Sequence, residues 1–418
     1  MPKIDDDTRK KDSVKTKDSP DSEEARRDAW RLCRSLARRD DILAEVVYVL
    51  RSNGVAGEAR AIKLVFLAVT SRLLKQPISV VLKGPSSAGK SFLLQRTLDL
   101  FPREAYYPLT AMSEKSLIYT KVSFEHRTLI LYEAAGIPAD TGRYLLRSIL
   151  SEGHVRYATV DKHRNPITLI KEGPTNLIIT TTATRLYEDD ETRLFSVTLT
   201  DTPEQTQKVM ARLAEKAEIG HNTDPGMQNH DEWHALQRWL SLSNVEVIVP
   251  FAMALSQLVP PSSVPLRRDF GAILRLIQTH ALLHQRNRER DEEGRIVAKL
   301  QDYEDIRSLV ETIVSEGAQA SVPLAVAQTV GAVTSLIGSD KPSCTVTEVA
   351  CELRLDKSAA LRRVKRALDL GFLENLEELK GRPARLVLGE RLPRARGRFL
   401  PDIEQLQEGL QGCSGTEG

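Results

Sequence analysis

The hydrophobic pattern between residues 77 and 205 alternates short, continuous apolar runs with longer segments of helical spacing. Continuous apolar runs are typical of strands that helices cover on both faces. We therefore expect five core strands, near residues 80–83, 105–109, 127–133, 177–182 and 194–199. Helices are expected after the first strand and over 141–152. Strands that alternate with helices predict an α/β fold with a mostly parallel, three-layer sheet.

Two further runs, 155–160 and 167–170, flank the polar segment 161–166. Two short runs of strand character around a polar turn predict a β-hairpin. Its tip is basic, because Lys162, His163 and Arg164 follow one another there.

The pattern changes on both sides of this core. Residues 1–25 carry few apolar side chains and are expected to be a disordered tail. Helical spacing over 26–76, with a break at Gly54 and Gly57, predicts a helical lead-in. Residues 206–317 are expected to form a helical lid region, 318–342 a linker and 396–418 a flexible tail.

Residues 343–395 carry the pattern of a separate small domain. Helices are expected over 346–353 and 357–370, followed by strands over 372–376 and 385–388 that a basic turn joins. Two helices and a basic hairpin predict a winged-helix domain. If Leu361, Val364 and Leu368 face inward, the arginines between them face outward.

Composition and charge exclude several classes of protein. The 418 residues are 41% hydrophobic with a formal net charge of +2, and they hold no apolar run long enough for a membrane span and no apolar N-terminal leader. The four cysteines lack metal-ligand spacing. We therefore expect a cytoplasmic protein without a zinc site. Because the net charge is close to zero, a surface that binds nucleic acid would have to be a local cluster of basic residues.

The segment between the first strand and its helix carries the strongest motif. Glycines at both ends of a loop let consecutive N–H groups point at phosphate oxygens, a lysine reaches the terminal phosphates, and a serine hydroxyl binds Mg²⁺. The alternative is a glycine-rich turn before an ordinary core helix. The expected ATP-binding residues are Gly84, Pro85, Ser86, Ser87, Ala88, Gly89, Lys90 and Ser91.

An acid at the end of a neighbouring strand would complete this chemistry. Glu133 stands at the end of the third strand and is expected to hold Mg²⁺ together with Ser91, or to activate water. The residue before it is Tyr132, where ATPases usually carry an acid. A strand-end glutamate in solvent is the alternative interpretation.

Two further positions are weaker candidates. Thr182, in the run 180–182 at the end of the fourth strand, could orient the attacking water, although threonine is also a common strand residue. Arg193, just ahead of the fifth strand, could reach a neighbouring subunit's γ-phosphate. An ion pair with the adjacent acids is the alternative for Arg193.

Two basic groups could contact nucleic acid. One lies on the expected hairpin, and the other lies on the second helix of the C-terminal domain. Basic helix faces are often only solvated, so the surrounding fold decides between the two interpretations. The candidate residues are Arg156, Lys162, His163, Arg164, Arg362, Arg363 and Arg366.

Together these stretches resemble the AAA+ ATPases, in the branch of the minichromosome maintenance helicases and the ATPase modules of phage and mobile-element primase-helicases. The resemblance covers about residues 57–305 and is carried by 82–91, 129–136, 144–162, 180–195 and 266–270. It implies that Thr182 is sensor 1, Arg193 the arginine finger, Arg268 sensor 2, and 154–170 a hairpin lining the pore of a hexamer.

This resemblance favours an ATP- and Mg²⁺-dependent helicase or translocase that works as a homo-oligomeric ring, with single-stranded and duplex DNA as partners, in replication of a mobile element. The rival is a regulatory ATPase switch that binds DNA without unwinding it. A winged-helix transcription regulator on an inherited ATPase fold is a third possibility.

Overall fold

The computed structural model describes residues 20–137, 141–183, 193–199, 202–219, 229–259, 264–320, 324–338, 341–377, 379, 382–389 and 399–413. Their contacts form two compact units. The first comprises residues up to Ala252 together with Gly271–Leu309, and the second comprises Met253–Phe270 together with the residues from Val310 onward.

The helices and strands of the described residues follow in chain order. They are α1 (Pro20–Cys33), α2 (Ile42–Ser52), α3 (Ala59–Thr70), β1 (Val80–Lys83), α4 (Lys90–Leu98), β2 (Tyr106–Leu109), α5 (Ser116–Tyr119), β3 (Arg127–Leu131), α6 (Thr141–Glu152), β4 (His154–Val160), β5 (Pro166–Glu172), β6 (Thr175–Thr181), β7 (Phe195–Thr198), α7 (Pro203–Ile219), α8 (Asp231–Ser241), β8 (Val247–Ile248), α9 (Ala252–Leu258), α10 (Val264–Leu283), β9 (Ile296–Val297), α11 (Leu300–Ala320), α12 (Leu324–Leu336), α13 (Val346–Glu352), α14 (Lys357–Asp369), β10 (Leu373–Asn375), β11 (Leu386–Leu388) and α15 (Ile403–Cys413).

The first unit is built on a five-stranded sheet in the order β2-β3-β6-β1-β7. Every neighbouring pair in it is parallel. All five strands therefore end at one edge of the sheet. The expected α/β class with a parallel sheet is confirmed.

Helices cover both faces of this sheet, which explains the continuous apolar runs. Leu177 and Ile179 of β6 pack in one core cluster with residues of α5 and α6. Asn176 points to the opposite face, where its amide donates to the carbonyl of Ala68 in α3 at 2.8 Å. Every residue of β6 is buried, as expected of a strand between two helical layers.

The expected hairpin is formed by β4 and β5, which pair antiparallel over their whole length, from His154 opposite Glu172 to Val160 opposite Pro166. Burial alternates along both strands, with Val155 in the core and His154 and Arg156 exposed. This alternation is the mark of a ribbon with one packed face and one solvent face.

The second unit contains α12, α13 and α14 followed by the β10–β11 hairpin. Cys344 adds a bridge to Leu386 of β11. Val326 and Val333 of α12 pack in the same core as Val364 of α14. The small residues that suggested a linker over 318–342 therefore mostly form a packed helix, because their valines recur at helical spacing.

The expectations for the two ends also need correction. Helix α1 begins at Pro20, inside the segment expected to be disordered, and residues 1–19 lie outside the described part. Residues 403–413, expected to be a flexible tail, form α15. Leu400 and Leu406 are both buried, so the sparse apolar residues of this segment suffice to dock it. Among the described residues, no helix is both long and apolar enough to cross a membrane.

A buried polar network joins α10 and α11 in the first unit. Asp302 accepts hydrogen bonds from Arg288 at 2.6 and 2.9 Å and contacts the His280 ring at 2.6 Å. Burial alone would raise the pKa of Asp302, but these bonds outweigh it and lower the pKa to about 2. The His284 ring contacts the carbonyl of His280 and accepts from the N–H of Ile42.

His284 is neutral at physiological pH. Burial, and then the charge of His280, lower its pKa from 6.5 to about 3. Because the unfolded chain takes up a proton near pH 6.5 and the folded chain does not, stability is complete above that pH and falls below it.

We predict that the free energy of unfolding drops by about 2 kcal/mol between neutral pH and about pH 5 through this residue. Denaturant unfolding at both pH values measures it. A His284→Gln variant should be less stable at neutral pH but should lose less on acidification. A matched His163→Gln change at the exposed hairpin tip should keep the parent's pH dependence; equal acid sensitivity in parent and His284→Gln would contradict the assignment.

Candidate nucleotide-binding site

The segment between β1 and α4, residues 84–91, is called the glycine loop below. Gly89 has φ of +78° and Ser87 has φ of +70°, so the backbone enters the left-handed region twice. Such turns can point successive N–H groups at one anion. The position of Gly89 has open space around it, so glycine is required there by backbone conformation and not by crowding.

Lys90 is the most informative side chain of the glycine loop. It is only 7% exposed, and its ammonium donates to the carbonyls of Gly84 at 2.8 Å and Pro85 at 2.7 Å. Both partners are neutral. A buried cation held by neutral groups is stabilised when an anion comes within reach. The loop therefore presents a positive charge without a described carboxylate against it.

The first turn of α4 adds to this positive potential. Ser91 is exposed at the N-terminus of the helix, where unpaired N–H groups and the helix dipole favour an anion. Its hydroxyl is accessible to a hydrated cation beside that anion. The serine is thus suited to the magnesium role that the sequence suggested.

The strand register places Glu133 at the same edge of the sheet. Leu131 is opposite Ile179, and Lys83 is opposite Thr181, so Glu133 is level with the end of β1. One strand lies between them, which puts the two backbones about 10 Å apart. A carboxylate at this distance can face a phosphate group held by the glycine loop.

The turn after Glu133 is fixed by close packing. The N–H of Gly136 donates to the carbonyl of Glu133 at 2.9 Å. A Cβ atom at Gly136 would lie 2.8 Å from the carbonyl oxygen of Thr110, so a larger residue would push this turn away. The half-buried carboxylate of Glu133 is therefore carried on a defined backbone.

Tyr132 supplies no second negative charge at this edge. Burial raises the pKa of its phenol, and the charges of Tyr106 and Asp99 raise it further against the effect of Arg103. The phenol is therefore neutral at physiological pH. Its backbone carbonyl accepts the hydroxyl of Thr180 at 2.5 Å, which ties β3 to β6.

The threonines at the end of β6 have different roles. Thr180 is bonded to β3, and the hydroxyl of Thr181 accepts the N–H of Ala183 at 3.0 Å. Thr182 is exposed at the edge that carries the glycine loop and Glu133. Of the three, Thr182 is therefore the one placed to contact a bound ligand.

Arg193 lies at the opposite side of the sheet from the glycine loop, where the parallel strands begin. Phe195 is opposite Val80 at the start of β1, and the N–H of Leu199 donates to Lys83 at the end of β1. Arg193 is thus roughly 15 Å or more from the glycine loop of its own chain. Its Nε donates to the hydroxyl of Ser151 at 2.7 Å. It cannot act on a ligand in its own loop.

The fourth candidate, Arg268, lies in the first turns of α10. Its side chain is outside the described part of the structure. No contact is therefore assigned to it.

The hairpin tip displays its cations outward. The carboxylate of Asp161 accepts the N–H groups of His163 at 2.7 Å and Asn165 at 2.9 Å, which fixes the turn. Arg164 adopts φ of +65°. Lys162, His163 and Arg164 are all exposed, and Arg156 is exposed on the outer face of β4.

The basic face of α14 differs from the expected one. Leu361, expected to face inward, is 54% exposed, because the buried stripe consists of Ala360, Val364 and Ala367. Arg362 and Arg366 face solvent. Arg363 is half-buried and donates to Gln328 of α12 at 3.1 Å. Val364 and Leu368 do pack against the core, so the expectation is wrong for Leu361 alone, whose place in the stripe is taken by small alanines.

One contact of the hairpin was missed from sequence. Lys171 of β5 points inward, where its ammonium donates to the carbonyls of Thr120 and Val122. The signal was present, because position 171 falls on the inward side of an alternating strand, where a lysine needs a partner.

Neither a scan of protein-family models nor a search of curated proteins finds a match to this chain.

We predict that two variants separate binding from turnover. Lys90→Ala removes the buried cation and should abolish binding of a fluorescent ATP analogue, whereas Glu133→Gln should bind it within about three-fold of the parent and lose most hydrolysis. Lys75→Ala, which removes an exposed lysine paired with Glu246, is the matched control and should change neither. Normal turnover by Glu133→Gln would remove that residue from catalysis.

Proposed function

We propose that this chain is an ATP-hydrolysing AAA+ protein of the branch that includes the minichromosome maintenance helicases, and that it translocates on or unwinds DNA as a ring of subunits in replication of a mobile element. One observation carries the proposal. The glycine loop, Glu133 and Thr182 meet at one edge of a parallel sheet, and the same unit bears a hairpin whose exposed tip is cationic.

Each side chain at the sheet edge has a part in this chemistry. The loop N–H groups and Lys90 hold the phosphates of ATP, and Ser91 and Glu133 would hold Mg²⁺, which supplies positive charge against the phosphate oxygens. Glu133 can accept a proton from the attacking water as the bond to the γ-phosphorus forms. The bond to the bridging oxygen then breaks, and ADP leaves. Thr182 orients the water.

The position of Arg193 supports assembly into an oligomer. Because it is too far from its own loop, Arg193 could stabilise phosphate charge only in the site of an adjacent copy. In this arrangement each active site is completed at a subunit interface, as in a closed homo-oligomeric ring, which we propose to be a hexamer.

The second unit supports a role in binding duplex DNA. Three helices and a small hairpin are the elements of a winged-helix domain, and Arg362 and Arg366 are exposed on α14. Guanidinium groups on such a helix can contact phosphates or base edges. Arg363 instead positions α14 against α12 through Gln328.

One observation favours the alternative, a DNA-bound ATPase switch that does not unwind. Tyr132 is neutral where a second carboxylate would strengthen magnesium binding, so hydrolysis is expected to be slow. A switch requires only that the nucleotide state change assembly, and it has no need of a moving cationic hairpin. Experiments on the hairpin therefore separate the two functions.

We predict that Arg193→Ala and Lys90→Ala proteins are each nearly inactive alone but recover part of the ATPase activity when mixed. Recovery arises at interfaces that pair an intact arginine with an intact glycine loop. Activity is measured on mixtures whose co-assembly is established by co-purification of one variant, untagged, with the other carrying an affinity tag. A co-assembled mixture no more active than its components would exclude Arg193 from the trans role.

We predict that changing both Lys162 and Arg164 to Glu stops unwinding of a forked duplex and abolishes stimulation of ATPase by single-stranded DNA, while basal hydrolysis stays within about two-fold. The reversed charges repel phosphates, and the salt dependence of single-strand binding should flatten.

A control with Arg27 and Arg31 of α1 changed to Glu carries the same change in net charge and should behave as the parent. Unwinding by the hairpin variant at the parent's rate would contradict the pore role. A parent that hydrolyses ATP but never displaces a strand would favour the switch.

A further inference from the structure

The inner face of the hairpin is fastened to the segment that includes α5, residues 115–122. The half-buried ammonium of Lys171 donates to the carbonyls of Thr120 and, at 3.2 Å, Val122. Burial lowers the pKa of Lys171, and its ammonium lies 5.7 Å from the centre of the Phe124 ring. This contact joins β5 to the chain just ahead of β3.

Two more contacts join this segment to β4. The hydroxyl of Tyr119 lies 3.4 Å from that of Thr159, and the ammonium of Lys115 lies 5.7 Å from the centre of the Tyr157 ring. Leu117 and Ile118 between them are buried in the core under the hairpin. Segment and hairpin therefore form one packed surface.

Tyr119 exposes its ring on this surface. Tyr119 is 53% exposed although its hydroxyl lies 3.4 Å from that of Thr159, so much of the side chain is accessible to solvent beside the hairpin. Thr159 precedes Lys162 by three residues, so the backbone beside the Tyr119 hydroxyl is roughly 10 Å from the backbone of the first cationic residue of the tip. Lys115 and Lys121, on either side of Tyr119 in sequence, are exposed as well.

An exposed aromatic ring within reach of several cations fits one kind of ligand well. Single-stranded DNA offers unpaired bases with two open faces, joined by phosphates at short and regular intervals. An aromatic side chain can stack on a base while lysines and arginines contact the phosphates. Asp161 and Glu114 carry negative charge in these two stretches, but the exposed cations there outnumber them: Lys115, Lys121, Lys162 and Arg164.

We propose that Tyr119 is a base-stacking contact for single-stranded DNA, and that residues 115–121 together with the hairpin tip form one binding surface for the strand. This inference rests on the proposed function of the hairpin. It adds a contact that does not depend on charge. Because every base has an aromatic face, the contact is indifferent to sequence.

The test compares Tyr119→Ala, Tyr119→Phe and a matched control in the full-length protein. Tyr48→Ala is that control, because Tyr48 on α2 is 69% exposed and distant in sequence from the hairpin. Affinity for fluorescein-labelled oligothymidylate is measured by anisotropy at several salt concentrations, with thermal unfolding to verify folding.

Tyr119→Ala should bind oligothymidylate about ten-fold more weakly than the parent. The slope of affinity against salt should be unchanged, since no phosphate contact is lost. Tyr119→Phe and Tyr48→Ala should stay within about two-fold of the parent. Changing Lys162 and Arg164 should instead alter the slope.

Parental affinity in Tyr119→Ala would overturn the inference and leave the proposed function standing. So would a Tyr119→Phe protein as weak as Tyr119→Ala, because the hydroxyl and not the ring would then carry the effect. A flattened salt slope in Tyr119→Ala would also overturn it, because lost phosphate contacts and not a lost stacking contact would then explain the weaker binding. A parent that binds no oligothymidylate would count against the proposed function itself, and this inference would fall with it.

Discussion

The parallel register of β1 between β6 and β7 is the constraint on which the candidate site depends. Because all strands are parallel, the segments that follow β1, β3 and β6 lie together at the C-terminal ends of the strands. Arg193, which precedes β7, lies at the N-terminal ends. The glycine loop, Glu133 and Thr182 are brought together by this register alone. A slip of one residue between β3 and β6 would turn the carboxylate to the other face of the sheet.

The sequence predicted those elements whose structure depends mainly on residues close by in the chain. Continuous apolar runs predicted the five strands, and the spacing of glycines and a lysine predicted the loop between β1 and α4. Sequence also predicted the hairpin, because a polar turn between strands has few alternatives. These elements are determined by their neighbours along the chain.

Prediction failed where tertiary contacts decide. On α14 the inward stripe was expected on Leu361, Val364 and Leu368, but Ala360 and Ala367 are buried beside Val364 and Leu361 is 54% exposed. Helix α15 was missed because it packs against residues distant in sequence, such as Leu258 beside Gly409. Lys171 was overlooked for a related reason, since its two carbonyl partners lie about fifty residues earlier.

The separation of Arg193 from its own glycine loop has a consequence for control of the protein. If hydrolysis requires that guanidinium, an isolated subunit is an incomplete enzyme, and its specific activity depends on how many copies meet. Dilution would then inactivate the protein without any inhibitor, and a condition that gathers its subunits would activate it. Abundance and recruitment, not the chemistry of one site, would set the rate.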